Sequence, residues 1–70
     1  MESERLNNSM KLHRGRAGLT QAQLADSVNV TRKTINSVEN GVFVPSTVLA
    51  LKISRALQTP FETLFSLPEG

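Results

Sequence analysis

Helix-capping residues recur at short intervals along this chain and divide it into short helical segments. A Thr-x-x-Gln capping box begins at Thr20, a Thr-Pro-x-Glu box begins at Thr59, and single hydroxyl caps stand at Thr31 and Ser46. In a capping box the hydroxyl accepts a hydrogen bond from a first-turn amide, and the Gln or Glu side chain accepts one from the cap residue's own amide. The predicted helices cover 4–16, 20–27, 31–40, 46–57 and 60–66.

Residues that tolerate a positive φ separate these helices. Gly18 is placed to end the first helix, Asn29 allows a sharp turn between the second and the third, and the pair Asn40–Gly41 is placed to end the third. Only the short segment 42–44 has the composition of a strand. The sequence therefore predicts an all-α fold in one small domain over 1–70.

Composition excludes several classes of protein. The 70-residue chain has no cysteine and one histidine, His13, which we expect to be half-buried. Disulfide scaffolds and cysteine-ligated metals are thereby excluded, and no metal or cofactor site is expected. No Ser/His/Asp set or glycine-rich phosphate loop indicates an enzyme. The longest apolar run, 48–51, is far shorter than the roughly 20 residues that cross a bilayer, which favours a cytoplasmic protein.

Positive charge is concentrated in one third of the chain. The net charge is +2, but residues 11–33 hold five basic residues and a single acid, Asp26. Local basic excess suits a polyanionic partner, although such residues often form only a solvated face.

The segment 21–40 resembles the helix-turn-helix of phage-repressor-like (XRE/Cro-type) transcription regulators. That pattern has a small residue, a tight turn and two branched apolar residues at fixed places, here Ala25, Asn29, Ile35 and Val38. The similarity extends over about 8–66, through segments 18–21, 31–35, 38–41, 45–46 and 61–66. It implies a five-helix DNA-binding domain whose helix-turn-helix, about 20–40, is formed by the second and third helices.

The third helix is the expected recognition helix. With Ile35 and Val38 inward, Arg32 and Lys33 lie outward in its first turn, where they can bind guanine O6 and N7 in the major groove. Ser37, one turn later, can touch a base edge or a thymine methyl group. The plainer alternative is that these are ordinary solvated side chains, although positively charged side chains in the first turn of a helix oppose the helix dipole.

Phosphate contacts are expected at the ends of the second and third helices. The resemblance assigns this role to Gln21 and Asn40, together with the backbone after Gly41. Thr31 caps the third helix in any interpretation, and its hydroxyl can in addition reach a phosphate. Asn36 contacts either phosphate or solvent.

Three further side-chain groups receive structural roles. The resemblance implies an ion pair between Arg14 and Glu39 that orients the first and third helices; two solvated charges are the alternative. Phe43 is expected to close the core; the alternative is that it packs on the sugar backbone of DNA beside the phosphate clamp. Four large apolar residues near the C-terminus exceed what a short helix can bury, so the region 60–67 is the candidate dimer interface. These residues are Phe61, Leu64, Phe65 and Leu67; the alternative is that they all cap the core.

The resulting hypothesis is a non-enzymatic, sequence-specific regulator of double-stranded DNA, a homodimeric repressor that occupies a promoter and is associated with the nucleoid when bound. The alternative is an antitoxin-like DNA-binding protein that also binds a partner protein through Phe61–Leu67. A structural module from a larger protein is a weaker rival.

Overall fold

A computed structural model describes residues 6–68 and has an all-α fold with one very small sheet. Five helices follow one another along the chain, and two short strands stand at the two ends of the described segment. In chain order the elements are β1 (Asn7–Asn8), α1 (Met10–Arg16), α2 (Gln21–Ser27), α3 (Arg32–Glu39), α4 (Thr47–Leu57), α5 (Phe61–Leu64) and β2 (Phe65–Ser66).

Hydroxyl caps begin α2, α3 and α4 where the sequence predicts them. The Thr20 hydroxyl accepts from the Gln23 backbone amide at 3.0 Å, and Oε1 of the Gln23 side chain accepts from the Thr20 backbone amide at 2.9 Å, which completes the capping box. Thr31 accepts from the amide of residue 34, and Ser46 accepts from that of residue 49. Each cap binds an amide that has no partner inside its helix. The predicted starts of these three helices are confirmed.

Positive φ angles produce the sharp turns between α1 and α4. Asn29 adopts a φ of 64°, and Gly18 and Gly41 each adopt 74°. At the joint of α2 and α3, the Val30 amide donates to the Ala25 carbonyl at 2.9 Å, while the Ala25 side chain is buried at the crossing. The predicted tight turn and its small residue are therefore both present.

One core of twelve buried hydrophobic side chains fixes α3 on the rest of the molecule. From α3 it receives Ile35 and Val38, which are almost completely buried, so that the opposite side of this helix faces outward. The largest fully buried side chains of the core are Met10, Leu24, Ile35, Ile53, Leu64 and Val38.

The N-terminal part of the predicted first helix is wrong. Residues 4 and 5 of that prediction lie outside the described residues, and α1 begins only at Met10. Instead of helix, Asn7 and Asn8 pair antiparallel with Ser66 and Phe65. The Ser9 amide and hydroxyl then donate to carbonyls of α5, both at 2.9 Å, and extend this junction. A long-range pairing has replaced the local helix.

The predicted capping box at Thr59 does not form, and the last helix is shorter than predicted. The Thr59 hydroxyl donates to the carbonyl oxygen of Leu57 at 2.9 Å, and Pro60 stands at the cap position of α5. The preceding helix ends at Gln58, whose φ of 51° lies in the left-handed region. The chain thereby turns α5 toward the core, and the predicted helical residues 65 and 66 form β2.

Candidate nucleic-acid interface

The outer face of α3 is polar and cationic. Arg32, Lys33 and Asn36 are exposed on it, and Ser37 is half-buried at its edge. The N-cap Thr31 and the C-cap Asn40, also exposed, stand at its two ends. The structure thus brings six of the seven residues predicted to contact DNA onto one helix and its caps.

An ion pair between Arg14 and Glu39 fixes the end of α3 to α1. Arg14 Nε donates to Glu39 Oε2 at 2.6 Å and Nη2 donates to Oε1 at 3.2 Å, so the pair is bidentate. Nη1 donates to the carbonyl oxygen of Leu19 at 2.9 Å. The hydrogen bond to Glu39 raises the pKa of Arg14 above its already high ordinary value. Because the Glu39 side chain is only 3% exposed, this pair positions the helix and is inaccessible to a large ligand.

Gln21 connects the ion pair to the exposed face of α3. Its Nε2 donates to Glu39 Oε1 at 3.0 Å and to Asn36 Oδ1 at 3.2 Å. Its Oε1 accepts a longer hydrogen bond from Arg32 Nη1 at 3.4 Å. Three of the seven residues predicted to contact DNA, Gln21, Asn36 and Arg32, are therefore joined in one hydrogen-bonded network that begins at Arg14. Sequence analysis assigned these residues separately and missed their connection.

The first turn of α3 is electropositive. Arg32 and Lys33 follow the N-cap, and this turn contains no acidic residue. Among residues 6–68 the Arg14–Glu39 pair is the only salt bridge, so neither cation has an acidic partner in the described chain. Helix N-termini carry partial positive charge, and these two cations add to it. An anion bound at this turn would relieve the repulsion.

The far end of α3 differs from the prediction in one respect. The Gly41 amide donates to the Val38 carbonyl, and the amides of Val42 and Phe43 both donate to the Ser37 carbonyl, at 2.9 and 3.2 Å. The backbone after Gly41 is thus bonded within the chain, which contradicts its predicted availability for phosphate. Asn8 Nδ2 also donates to the Val38 carbonyl, at 2.9 Å, and ties β1 to this end of α3.

Phe43 lies outside the core, so its predicted core position is wrong. Its side chain is 47% exposed and lines an open depression together with Lys33, Thr34, Ser37 and Val42. The hydrogen bonds of its loop to the Ser37 carbonyl hold it beside the last two turns of α3. Residues 42–44 form no strand and present three exposed hydrophobic side chains.

Comparison with known proteins identifies this arrangement. The helix-turn-helix family model HTH_3 matches residues 10–64. The chain belongs to the phage-repressor-like helix-turn-helix family. The HTH-type transcriptional regulator YgzD of Bacillus subtilis is 42% identical over 64 residues, which are 91% of this chain and 97% of YgzD. An HTH-type regulator of Methanothermobacter thermautotrophicus is 48% identical over 58 residues, 81% of this chain and 84% of the relative.

A solved structure supports the same assignment. The restriction-modification controller protein C.AhdI from Aeromonas hydrophila superposes with a TM-score of 0.75 at 32% identity, over 80% of this chain and 85% of C.AhdI. The chain is therefore a transcriptional regulator with a helix-turn-helix domain that binds double-stranded DNA, and it is not an enzyme. The predicted family, fold class and non-enzymatic character are confirmed.

Two of the four residues predicted at a dimer interface of this helix-turn-helix regulator are unavailable for one. Leu64 is 1% exposed and Phe65 is 4% exposed, because α5 and β2 pack them into the core. Phe61, stacked on Phe65 with ring centroids 5.3 Å apart, is 38% exposed, and Leu67 is more exposed still. Of the four residues named for the candidate interface, only Phe61 and Leu67 are therefore exposed.

The remaining expectations concern His13, metal binding and membrane-spanning helices. His13 is half-buried, and its Nδ1 lies 3.0 Å from the carbonyl oxygen of Ser9, one helical turn earlier. Across residues 6–68, no three His, Cys, Asp or Glu side chains come together as ligands of a metal ion. In that same segment, none of the helices has both the length and the apolar character needed to cross a membrane.

Proposed function

We propose that this regulator binds a specific operator sequence with α3 in the major groove and represses transcription by occupying the promoter. The observation that carries the proposal is the pair of exposed cations, Arg32 and Lys33, in the first turn of a helix whose other face is buried. A recognition helix contacts base edges with residues of its N-terminal turns. Such a protein acts in the cytoplasm, at the nucleoid.

Base contacts are assigned to Arg32, Lys33 and Ser37. The two long cations reach furthest from the helix axis and match the O6 and N7 acceptors of guanine, a contact that contributes about 1–3 kcal/mol of discrimination. Ser37 is short and half-buried, so it suits a base edge or methyl group that comes close to the helix. The hydrogen bond that Arg32 donates to Gln21 restricts the guanidinium before DNA arrives, which lowers the entropy lost on binding.

Phosphate contacts are assigned to Gln21, Thr31, Asn36 and Asn40. Gln21 is the first residue of α2 and bonds to Asn36 on α3, so the two amides form one polar edge beside the recognition face. Thr31 and Asn40 stand at opposite ends of α3 and flank that face. Contacts on both sides of the groove fix the register of the helix, which is the role phosphate contacts generally have.

Two copies are proposed to bind together, through Phe61 and Leu67. Both are exposed large hydrophobic residues at the end of the chain where α5 and β2 meet. A dimer places two recognition helices on half-sites about 34 Å apart, one turn of DNA. Sedimentation at tens of micromolar tests this proposal, with Phe61→Ser and Leu67→Ser expected to give monomers. Phe65→Ser is unsuitable because that side chain lies in the core.

The first experiment is selection of binding sites from a random DNA duplex pool, with sequencing, at about 150 mM salt. Lower salt strengthens the sequence-independent phosphate contribution and masks specificity. We expect an inverted repeat with half-site centres about 10 base pairs apart. Enrichment of no sequence would contradict a sequence-specific role.

A matched pair of lysine variants assigns the recognition face. Lys33→Ala removes a cation from the outer face of α3, and Lys52→Ala removes one from the exposed surface of α4. We expect the selected base pairs to change or lose preference with Lys33→Ala only. Equal effects of both variants would show that the positive charge acts at long range and that α3 makes no base contact there.

An antitoxin-like protein remains the alternative, favoured only by the exposed side chains of Phe61 and Leu67. In that case these two residues contact a different protein, and the DNA-binding surface is unchanged. A purified protein that is monomeric, binds its operator and loses no affinity with Phe61→Ser would favour this alternative over the homodimer.

A further inference from the structure

An apolar depression opens beside the cationic face of α3. Its lining consists of Lys33, Thr34 and Ser37 from α3 and Val42 and Phe43 from the following loop. Val42 and Phe43 are both strongly exposed, although neither is needed to complete the core. A short hydrophobic segment fixed next to the residues assigned to base contact suits a ligand that is both anionic and locally apolar.

We propose that this depression receives the C5-methyl group of one thymine in each operator half-site, with Phe43 as the residue that recognises it. The inference rests on the proposed docking of α3 in the major groove. The thymine methyl is the one apolar group that a base pair presents in that groove. Phe43 is thereby a specificity-determining residue outside the helix-turn-helix itself.

The position of Phe43 supports a base contact more than a general surface role. Its amide and that of Val42 both donate to the Ser37 carbonyl, so the loop is held at a fixed distance from the α3 residue assigned to a base edge. Lys33 forms another wall of the same depression. A methyl group seated between them would be covered by the aromatic ring, the Thr34 side chain and the aliphatic stem of Lys33.

Charge selects DNA as the occupant. The depression contains a cation and no acidic side chain, and it continues directly into the outer face of α3. A purely hydrophobic segment of another protein would leave Lys33 without an anionic partner, whereas DNA brings its own phosphates. DNA therefore satisfies both parts of the depression: the methyl group of a thymine contacts the apolar walls, and the phosphates attract Lys33.

The effect of one methyl group is measurable because deoxyuridine differs from thymidine only in lacking it. A buried methylene contributes about 0.8 kcal/mol, which is roughly fourfold in affinity. We expect replacement of one particular thymine per half-site by deoxyuridine to weaken binding about threefold to fivefold. Other thymines of the operator should show smaller changes.

A double-mutant cycle attributes this loss to Phe43. The selected operator and its single deoxyuridine variants are titrated, by fluorescence anisotropy at 150 mM salt, with the unmodified protein, with Phe43→Ala and with Phe43→Leu. With Phe43→Ala the thymine and deoxyuridine duplexes should bind equally at the sensitive position. Phe43→Leu, which keeps an apolar side chain, should restore most of the difference.

Leu51→Ala serves as the matched control, because Leu51 is similarly exposed but lies on α4. It should leave every deoxyuridine effect unchanged. Thermal unfolding followed by circular dichroism checks that Phe43→Ala is folded, as its exposure leads us to expect.

Two other outcomes separate this inference from the function on which it rests. If the protein binds its operator specifically but Phe43→Ala weakens all duplexes equally, the ring contacts the sugar-phosphate backbone and the methyl proposal is overturned. If the selection enriches no sequence, the proposed function fails and this inference fails with it.

Discussion

The outer faces of α3 and α4 each carry two cations, but these stand at opposite places along their helices. Arg32 and Lys33 occupy the first turn of α3, whereas Lys52 is the middle residue of α4 and Arg55 lies in its last turn. A helix dipole favours cations near the C-terminus and disfavours them near the N-terminus. Arg55 therefore stabilises its own helix, while the α3 cations oppose theirs, which fits their proposed role in binding DNA.

The two faces also differ in how their side chains are held. On α3, Arg32 connects through Gln21 to the buried Glu39 and from there to Arg14. On α4, the exposed hydrophobic residues Val48 and Leu51 lie beside the cations instead. The two faces thus differ in the position and connection of their charges and not in the number of charges, which is the difference expected between the proposed binding surface and a solvated one.

The largest expected effect breaks the network on the α3 side. Arg14→Ala leaves the Glu39 carboxylate buried without its cation, a change that we expect to cost about 3 kcal/mol of unfolding free energy. Affinity for DNA should fall with it, because α3 loses its orientation. Urea unfolding and operator titration measure the two losses.

The control for this prediction is Arg16→Ala, an exposed cation of the same helix, which should change stability by less than about 0.5 kcal/mol. A cation with a raised pKa contributes below its unfolded pKa and loses that contribution only as the pH rises through the higher folded value. For Arg14 both values lie far above neutrality, so its contribution should be the same at pH 6 and pH 9. Equal losses for both variants would refute the role assigned to the pair.

A second prediction compares the two arginines directly. Arg32→Ala should weaken operator binding by about 1–3 kcal/mol, because a guanine contact is lost. Arg55→Ala should leave operator affinity within twofold, since this residue lies on the α4 face. Titration of both variants with the same duplex at 150 mM salt measures the difference, and similar losses would remove the distinction between the two faces.

The helix caps provide a third, smaller comparison. Thr31→Ala and Ser46→Ala each remove a hydroxyl that binds a first-turn amide, so each should lower the unfolding free energy by about 1 kcal/mol. Only Thr31→Ala should also lower DNA affinity, because only its hydroxyl stands beside the recognition face. If Ser46→Ala weakens binding as much, the loss reflects stability alone.

The smallest expected effect is a difference in sign: Arg32→Ala should raise the free energy of unfolding, and Arg55→Ala should lower it. Removal of a cation from the first turn of α3 relieves an unfavourable dipole interaction, so Arg32→Ala should stabilise the free protein by up to about 0.5 kcal/mol. Arg55→Ala should destabilise it by a similar amount, because its cation lies in the last turn of α4. Thermal unfolding at low salt measures both changes, and equal signs would contradict this account of the two helices.

The middle of the chain could be predicted from its sequence because its signals are local. The capping box at Thr20, the caps at Thr31 and Ser46 and the turn at Asn29 all act within a few residues. The inward direction of Ile35 and Val38 follows from helical spacing. These features determine α2, α3 and the direction of the recognition face.

The ends of the chain could not be predicted in this way because their structure depends on distant partners. The pairing of Asn8 with Phe65 joins segments that no local rule connects. Thr59 had a suitable box sequence, but a competing carbonyl accepted its hydroxyl hydrogen. The burial of Leu64 in the core follows from that rearrangement, which is why the predicted interface was too large.

The sequence indicated which residues form the candidate site, but not how these residues are hydrogen-bonded to one another. Residue types and the family resemblance indicated Gln21, Asn36 and Arg32, yet their mutual hydrogen bonds depend on how α2 crosses α3. Phe43 was expected in the core, whereas its side chain is 47% exposed. The one available sign of its exposure was its position in a run of three hydrophobic residues directly after a helix end.

The antiparallel pairing of Asn7 with Ser66 makes the described chain almost a closed ring. If a short peptide joined the two paired ends, we expect that the chain connection between residues 40 and 46 would no longer be needed to hold the elements together. A circular permutant has its β1 and β2 ends joined by such a peptide and its new termini in the exposed loop after α3. It should keep all five helices, since exposed loop tips tolerate new termini. That permutant would free Phe43 from its chain connection to α3 and so separate the fold from the surface that the loop supplies.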